Sequence, residues 1–481
     1  MIDLTKNKIP ANVQTIHMIA VCGTAMGALA CLLKDLGYGI TGSDQTVYPP
    51  MSDFLIAKGI QITEGYDGKN LDYGPDLVVV GNAVSKNNPE VERMISLGLS
   101  FCSMPQAVCR FLTAGKRQLL VTGTHGKTTT SSLIAWLLFS AQLDPSYMIG
   151  GILNNFDSNY RIGAGEFTVL EGDEYDTAFF DKGPKFLHYQ PDVAIVTSIE
   201  FDHADIFTDL DHIKSTFTKF LQKIPASSIL IGYDGDAVIS QLIGQATCQV
   251  QRYGYAKTSK WMLGEVQVKP PVTCFEVFKD QILFGKFKMA MVGGHNLLNA
   301  LAAIAVVELL GLSQITISKG LASFKGIKRR QELRGICKGI SVIDDFAHHP
   351  TAVKETIQAV KTFYPHGRLI AVFEPRTNTS MRDIFQDVYP KVFDNADVVC
   401  IRKPSLLSKI PEKERFSSKK LVSDLNQRDV DAYYFEKTSD IIDFIPKIAK
   451  NGDVILVMSN GGFDNIHIKL LERLEQKDYL S

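Results

Sequence analysis

LLVTGTHGKTTT, Leu119 to Thr130, opens on three apolar residues, Leu119, Leu120 and Val121, that read as a short buried strand. Gly123-Thr124-His125-Gly126-Lys127-Thr128 follows. Leu133, Ile134, Trp136, Leu137 and Leu138 then recur at helical spacing. Strand, glycine-rich turn and helix form the setting of a phosphate loop. Glycines let backbone N–H groups turn toward phosphate oxygens, and a helix N-terminus adds partial positive charge. Gly123, Thr124, His125, Gly126, Lys127, Thr128 and Thr129 are therefore the candidate residues for binding a nucleoside triphosphate. Lys127 is suited to the β/γ-phosphates and the Thr128 hydroxyl to Mg²⁺. Val121 stands where the eight-residue pattern has glycine, so the loop is a shortened Gly-x-x-Gly-Lys-Thr. An ordinary glycine turn is the alternative.

The chain has 481 residues, long enough for about three domains. Hydrophobic content of 45% and charged content of 21% fit a globular protein. A formal net charge of −1 gives no case for nucleic acid or an anionic membrane as partner. Eight scattered cysteines without a C-x-x-C pair read as free thiols in a reducing compartment. The N-terminal residues lack an apolar signal core, and no run approaches the roughly 18 apolar residues of a spanning helix. No membrane insertion and a cytoplasmic location are the expectations.

Upstream, an apolar run from Ile16 to Val21 leads into Gly23-Thr24-Ala25-Met26-Gly27 and a helical pattern through Leu29, Leu32, Leu33 and Leu36. A second strand ends at Gly42-Ser43-Asp44. This is the start of a dinucleotide-binding βαβ unit with Ala25 at the middle glycine. Asp44 falls 21 residues after Gly23, where a ribose-binding carboxylate is expected. The missing glycine favours another diphosphate nucleotide over NAD. A packing turn alone is the competing reading. Asp76 to Ala83 is a further strand and loop, and Asn88-Pro89-Glu90 opens a helix. Gly23, Asp44 and Asn82 are expected to line one crevice at strand C-termini. The first domain ends near Thr113 to Lys116.

Downstream, the strand Phe167 to Leu170 enters Glu171-Gly172-Asp173-Glu174-Tyr175-Asp176, four carboxylates in six residues. That is a solvated acidic loop or a metal site beside the phosphate loop. The strand Val193 to Ser198 ends near His203, flanked by acids. Residues 229 to 287 are rich in short β-like runs. His295, Asn296 and Asn299 open an apolar helix, where capping is favoured over contact with a purine. Arg329 and Arg330 are either a solvated patch or phosphate ligands. A third α/β layer follows. Its strands end at Asp344-Asp345-Phe346-Ala347-His348-His349, Glu374-Pro375-Arg376-Thr377-Asn378 and Ser459-Asn460-Gly461-Gly462-Phe463.

GTHGKTTT, EGDEYD, EFDH, GGHNLLNA, RRQELRG, DDFAHHP and EPRTN, in this order, resemble the Mur ligase family of ATP-dependent amide-bond-forming enzymes in peptidoglycan metabolism. The resemblance covers nearly the whole chain and implies a three-domain α/β architecture. It implies a Rossmann-like UDP-sugar-binding domain at 1–115 and a central P-loop ATPase-type domain at 116–330. A C-terminal Rossmann-like α/β domain at 331–481 completes it, and the three close on one active site.

The resemblance also implies residue roles. Lys127, Glu171 and His203 are catalytic, with Thr128, Glu171 and His203 holding Mg²⁺. His295, Asn296, Asn299, Arg329 and Asp345 meet the nucleotide, which reverses the preference for capping. Gly23, Thr24, Gly27, Asp44, Asn82 and Pro89 bind UDP-N-acetylmuramate, and His348, Arg376 and Asn378 face the amino substrate. No carbamylated lysine is assigned.

Two branches of the family take UDP-N-acetylmuramate. TVYPPMS (46–52), GNAVSKNNP (81–89), EYDTAFFDKGPKFLHY (174–189), FDHADIF (201–207) and MSNGGF (458–463) resemble the branch that reattaches the recycled tripeptide L-Ala-γ-D-Glu-meso-diaminopimelate. The alternative is the L-alanine-adding branch. The extra residues around Phe180 to Phe186, with Lys182 and Lys185, are expected to shape a larger amine pocket. A folylpolyglutamate-synthetase-like ligase and a non-catalytic nucleotide-binding module are more distant readings.

Overall fold

The structure is a computed structural model that describes residues 2–47, 51–405 and 407–476. Residues 48–50 of the TVYPPMS segment lie outside the described residues. The chain divides into two compact units. The first comprises Met1–Ile199, Asp211–Met262 and Leu301–Gly320; the second comprises Glu200–Leu210, Leu263–Ala300 and Leu321–Ser481.

The first unit holds two large sheets and a two-stranded hairpin. The N-terminal one is parallel, with strands in the order Gln61–Glu64, Gly39–Asp44, Thr15–Ile19, Leu77–Val80 and Phe101–Ser103. Every residue of Leu77–Val80 is buried, as a parallel strand covered on both faces requires. Ile19 pairs with both Ser43 and Val80. The loops carrying Gly23, Asp44 and Asn82 therefore leave the sheet from one edge, as the sequence suggested.

In the second sheet, Ser146–Leu153, Phe167–Gly172, Arg117–Thr122, Val193–Val196, Ile229–Tyr233 and Gln249–Gly254 run parallel in that order. Ser158–Arg161 pairs antiparallel with Ser146–Leu153. Thr122 pairs with Gly172 on one side and Val196 on the other. This register brings the phosphate loop, the acidic segment and Thr197-Ser198 to the same sheet edge, where ligands of parallel sheets sit.

The second unit contains a six-stranded sheet in the order Glu332–Cys337, Ile340–Asp345, Val454–Met458, Leu369–Phe373, Val398–Arg402 and Asp431–Phe435. Val353, Ile357, Leu421 and Leu425 from two helices cover one face. Ile441, Ile445, Ile466 and Leu470 from two others cover the opposite face. The strands expected from the sequence pair parallel, and a strand the sequence did not announce, Glu332–Cys337, adds to them antiparallel. Lys338 and Gly339 join it to its neighbour with φ of 50° and 74°. Two left-handed residues make a tight hairpin whose twist suits antiparallel strands. Elsewhere in this unit, Val272–Lys279 and Ile282–Met289 form another antiparallel pair.

All eight cysteines are free. Among the described residues, no helix is long and apolar enough to cross a membrane.

Candidate active site

The phosphate loop is shaped by contacts with the end of the neighbouring strand. The Ser198 carbonyl accepts the Thr124 N–H at 2.8 Å, and the Ser198 hydroxyl oxygen accepts the His125 N–H at 2.9 Å. Gly123 has φ 128°, and a Cβ there would lie 2.8–2.9 Å from the Ser198 backbone. Only glycine fits that approach. Gly126, at φ 81°, turns the chain into the helix Lys127–Ser140. Thr129 is buried in its first turn.

The acidic segment meets the loop through side chains. Lys127 Nζ donates to the carbonyls of Gly123 (2.5 Å) and Thr124 (3.1 Å) and to Glu174 Oε2 (2.8 Å). Burial opposes its charge, but Glu174, Asp173 and Glu171 outweigh that, and its pKa is raised. Glu171 accepts the Thr128 hydroxyl at 3.0 Å on one oxygen and the Gly150 N–H at 2.7 Å on the other. Burial raises the Glu171 pKa against the pull of Lys127 and these donors. A half-buried carboxylate beside a hydroxyl is a hard oxygen donor pair of the kind Mg²⁺ prefers. Lys127, Thr128 and Glu171 thus converge as the motifs suggested. The sequence did not single out Glu174; its only signal was membership of the acidic run.

At the N-terminal sheet, Gly23 precedes the helix Thr24–Asp35, which contains Gly27 in its first turn. Asp44 Oδ2 accepts the Cys22 N–H at 2.8 Å, so one carboxylate oxygen orders the glycine loop itself. Asn82 and Pro89 are exposed, and Asn88 caps the helix that Pro89 begins.

The residues around Phe180 to Phe186, expected to shape an amine pocket, lie in and just after a short hairpin. Strands Asp176–Ala178 and Asp181–Pro184 form a hairpin in the first unit. It packs on the N-terminal sheet, with Ala178 buried in the cluster of Ile19, Val78, Val80 and Phe101. Lys185 is bound to Asp173 at 2.8 Å, and Lys182 is exposed. Apolar Phe179 and Phe180 seat the hairpin there.

The remaining candidates belong to the second unit. Asn296 donates to the Val292 carbonyl at 2.8 Å and to Gln331 Oε1 at 3.2 Å. These donated bonds tie the start of the helix Gly294–Leu309 to Gln331, unlike a cap, which accepts helix N–H groups. Asn299 Nδ2 lies 3.5 Å from Asn296 Oδ1. His295 lies 3.5 Å from Gln331 Nε2 and 3.6 Å from Glu355. The Gln331 N–H in turn donates to Asp345 at 2.8 Å, and Asp345 also accepts the Ala347 N–H. Gln331 thus links His295, Asn296 and Asp345, a connection no motif announced.

Arg329 is not a solvated patch. Its guanidinium donates to the Ser459 and Gly461 carbonyls, both at 2.6 Å, and its Nε lies 3.4 Å from Asp344. Burial and Asp345 push the Asp344 carboxyl up to about 6, against the pull of Arg329.

His203 adopts φ 57° in the loop from Glu200 to Leu210. Its N–H donates to Asp202 at 2.7 Å. Burial would raise the Asp202 pKa, but His203, His348 and His349 lower it. His348 Nε2 is 3.9 Å from Asp202, Arg376 is 3.6 Å from Glu374, and Asn378 donates to Asp205 at 3.1 Å.

Three matched regions account for the sheets and the loops between them. The Mur ligase family catalytic domain matches residues 15–115, the Mur ligase middle domain 121–307, and the Mur ligase glutamate ligase domain 329–461. The chain belongs to the Mur ligase family. Its three-domain α/β architecture is that of Mur ligases. A Mur ligase relative from Escherichia coli K12, named UDP-N-acetylmuramate–L-alanyl-γ-D-glutamyl-meso-2,6-diaminoheptandioate ligase, is 38% identical over 96% of this chain and 98% of its own. A UDP-N-acetylmuramate–L-alanine ligase from Clostridium tetani is 33% identical over 93% of this chain and 96% of its own. The crystal structure of a murein peptide ligase from Psychrobacter arcticus superposes with a TM-score of 0.72 at 34% identity, covering 97% of this chain and all of that one.

Proposed function

We propose that this Mur ligase joins the tripeptide L-Ala-γ-D-Glu-meso-diaminopimelate to UDP-N-acetylmuramate, at the expense of ATP. The reading is carried by full-length similarity to a ligase of that name, 38% against 33% for the L-alanine ligase. The convergence of Lys127, Thr128 and Glu171 supports the ATP-dependent chemistry.

A carboxylate does not condense with an amine at neutral pH, because its oxygen is a poor leaving group. Transfer of the ATP γ-phosphoryl group to the lactyl carboxylate gives an acyl phosphate. Attack by the tripeptide amine then forms the amide and releases phosphate. The first transfer brings anions together, so positioned cations carry it. Lys127 supplies a fixed ammonium to the β/γ-phosphates, and the backbone N–H groups from Gly123 to Thr129 orient them. Thr128 and Glu171, with His203 as the further ligand, would hold Mg²⁺, which supplies charge neutralisation at the phosphates.

We assign UDP-sugar binding to Gly23, Thr24, Gly27, Asp44, Asn82 and Pro89 of domain 1–115. His295, Asn296, Asn299, Arg329 and Asp345 are assigned to the nucleotide. His348, Arg376 and Asn378 of domain 331–481 are assigned to the amino substrate, with 116–330 as the ATP-binding domain. A cytoplasmic location follows from these substrates.

The test is phosphate release from ATP, Mg²⁺ and UDP-N-acetylmuramate with added tripeptide or L-alanine. Tripeptide-driven release with the UDP-linked product in the mass spectrum supports the proposal. Release with L-alanine alone selects the de novo branch, and no release with either selects a nucleotide-binding module.

A further inference from the structure

The segment after Glu171 touches both the phosphate loop and the N-terminal sheet. At one end, Glu174 is only 3% exposed and accepts from Lys127. Past it, the hairpin Asp176–Ala178/Asp181–Pro184 reaches the N-terminal sheet. Ala178 is buried against Ile19, Val78, Val80 and Phe101, and the Phe180 ring centres 4.8 Å from that of Phe101. Asp181 accepts the Ser103 hydroxyl at 2.6 Å and lies 3.1 Å from His188 Nε2. Lys185 returns the chain to Asp173 through its side chain (2.8 Å) and its N–H (3.1 Å). Ile19 and Val80 end the strands that lead to Gly23 and Asn82.

We propose that Glu174 is a positioning residue that surrenders Lys127 to the terminal phosphates of ATP. The displaced segment then transmits nucleotide occupancy through the hairpin to the UDP-sugar site. This rests on the reading of Lys127 as the phosphate lysine.

An ammonium has three N–H donors, and Lys127 has three acceptors: Gly123, Thr124 and Glu174. Contact with a phosphate oxygen requires one of them to leave. The two carbonyls are neutral and part of the loop that would cradle the phosphate. Glu174 is anionic, and two anions at one ammonium repel. Glu174 is therefore the partner exchanged. Its movement pulls on a segment anchored by Phe180 and Asp181. By linkage, UDP-sugar binding must then alter nucleotide affinity by the same factor.

The test uses the full chain, a non-hydrolysable ATP analogue and UDP-N-acetylmuramate in titration calorimetry. Glu174→Gln should bind the analogue about tenfold more tightly, because the competing contact no longer holds Lys127 in a closed population. In the wild type, the Kd for UDP-N-acetylmuramate should differ with and without analogue. That ratio should fall to one in Glu174→Gln and in Phe180→Ala. Wild-type or weaker analogue affinity in Glu174→Gln, or a wild-type ratio of one, overturns the proposal. Hydrogen exchange on the unmodified chain is independent of any folding defect. Amides from 174 to 188 should exchange faster with analogue bound, and unchanged exchange overturns the coupling. Lys127→Ala separates the two readings. If it keeps wild-type analogue affinity, the phosphate-lysine assignment itself fails.

Discussion

Lys127→Met removes a charge from a site with almost no solvent. The side chains of Lys127 and Glu174 are 11% and 4% exposed, and their charged atoms are 2.8 Å apart. Glu171 and Asp173 add negative charge to the same site. Breaking a buried pair by removing one partner costs about 3–5 kcal/mol, because the other charge is left uncompensated. Lys127→Met/Glu174→Gln should recover most of that stability, giving a coupling energy in a double-mutant cycle. Turnover should behave oppositely. Both variants should lose about 10³-fold or more in phosphate release, as removal of a preorganised charge at a phosphoryl transfer predicts. Denaturation and phosphate release on the same preparations read stability, its recovery and turnover. A single variant within about 1 kcal/mol of wild type would refute the buried-pair argument. Recovery of turnover in the double variant would refute the role of Lys127 in catalysis.

Glu171→Gln keeps the Thr128 contact but loses the charge, and kcat should fall about 10²- to 10³-fold in phosphate-release assays, with UDP-sugar binding unchanged. Asp344 has its folded pKa raised to about 6 from 3.8. The stability contributed by its protonation is complete below pH 3.8 and lost as pH rises through about 6, so the charged form costs about 3 kcal/mol. The stability of Asp344→Asn relative to wild type should therefore be more favourable at pH 8 than at pH 5 in thermal melts, and a pH-independent difference would contradict the shift. Asp44→Ala should weaken UDP-N-acetylmuramate binding at least about tenfold by calorimetry, because it removes both the carboxylate proposed for the UDP-sugar and the acceptor for the Cys22 N–H. Removal of divalent metal by EDTA should abolish tripeptide-dependent phosphate release, and Mg²⁺ should restore it.

The local elements were legible because each rests on a short-range rule. Leu119–Val121 could only be a buried strand, and Gly123 to Thr128 carried its own turn and helix start. Even the distant pairing of Thr128 with Glu171 was foreshadowed, since Thr128 follows one strand and Glu171 ends its neighbour in a parallel sheet whose strand ends share one edge. The family resemblance added roles that no spacing could supply. Other facts depend on partners far apart in the chain. Whether Asn296 caps a helix or donates to Gln331 is settled by a residue 35 positions away. Whether Arg329 is solvated is settled by carbonyls 130 and 132 positions away. Where the residues around Phe180 are seated is settled by Phe101, 79 positions away. Glu174 was one acid among four until burial against Lys127 set it apart. Residue type and periodicity specify which chemistry a segment can offer. Only packing specifies which donors are already satisfied, because burial removes the water that would otherwise serve every partner equally.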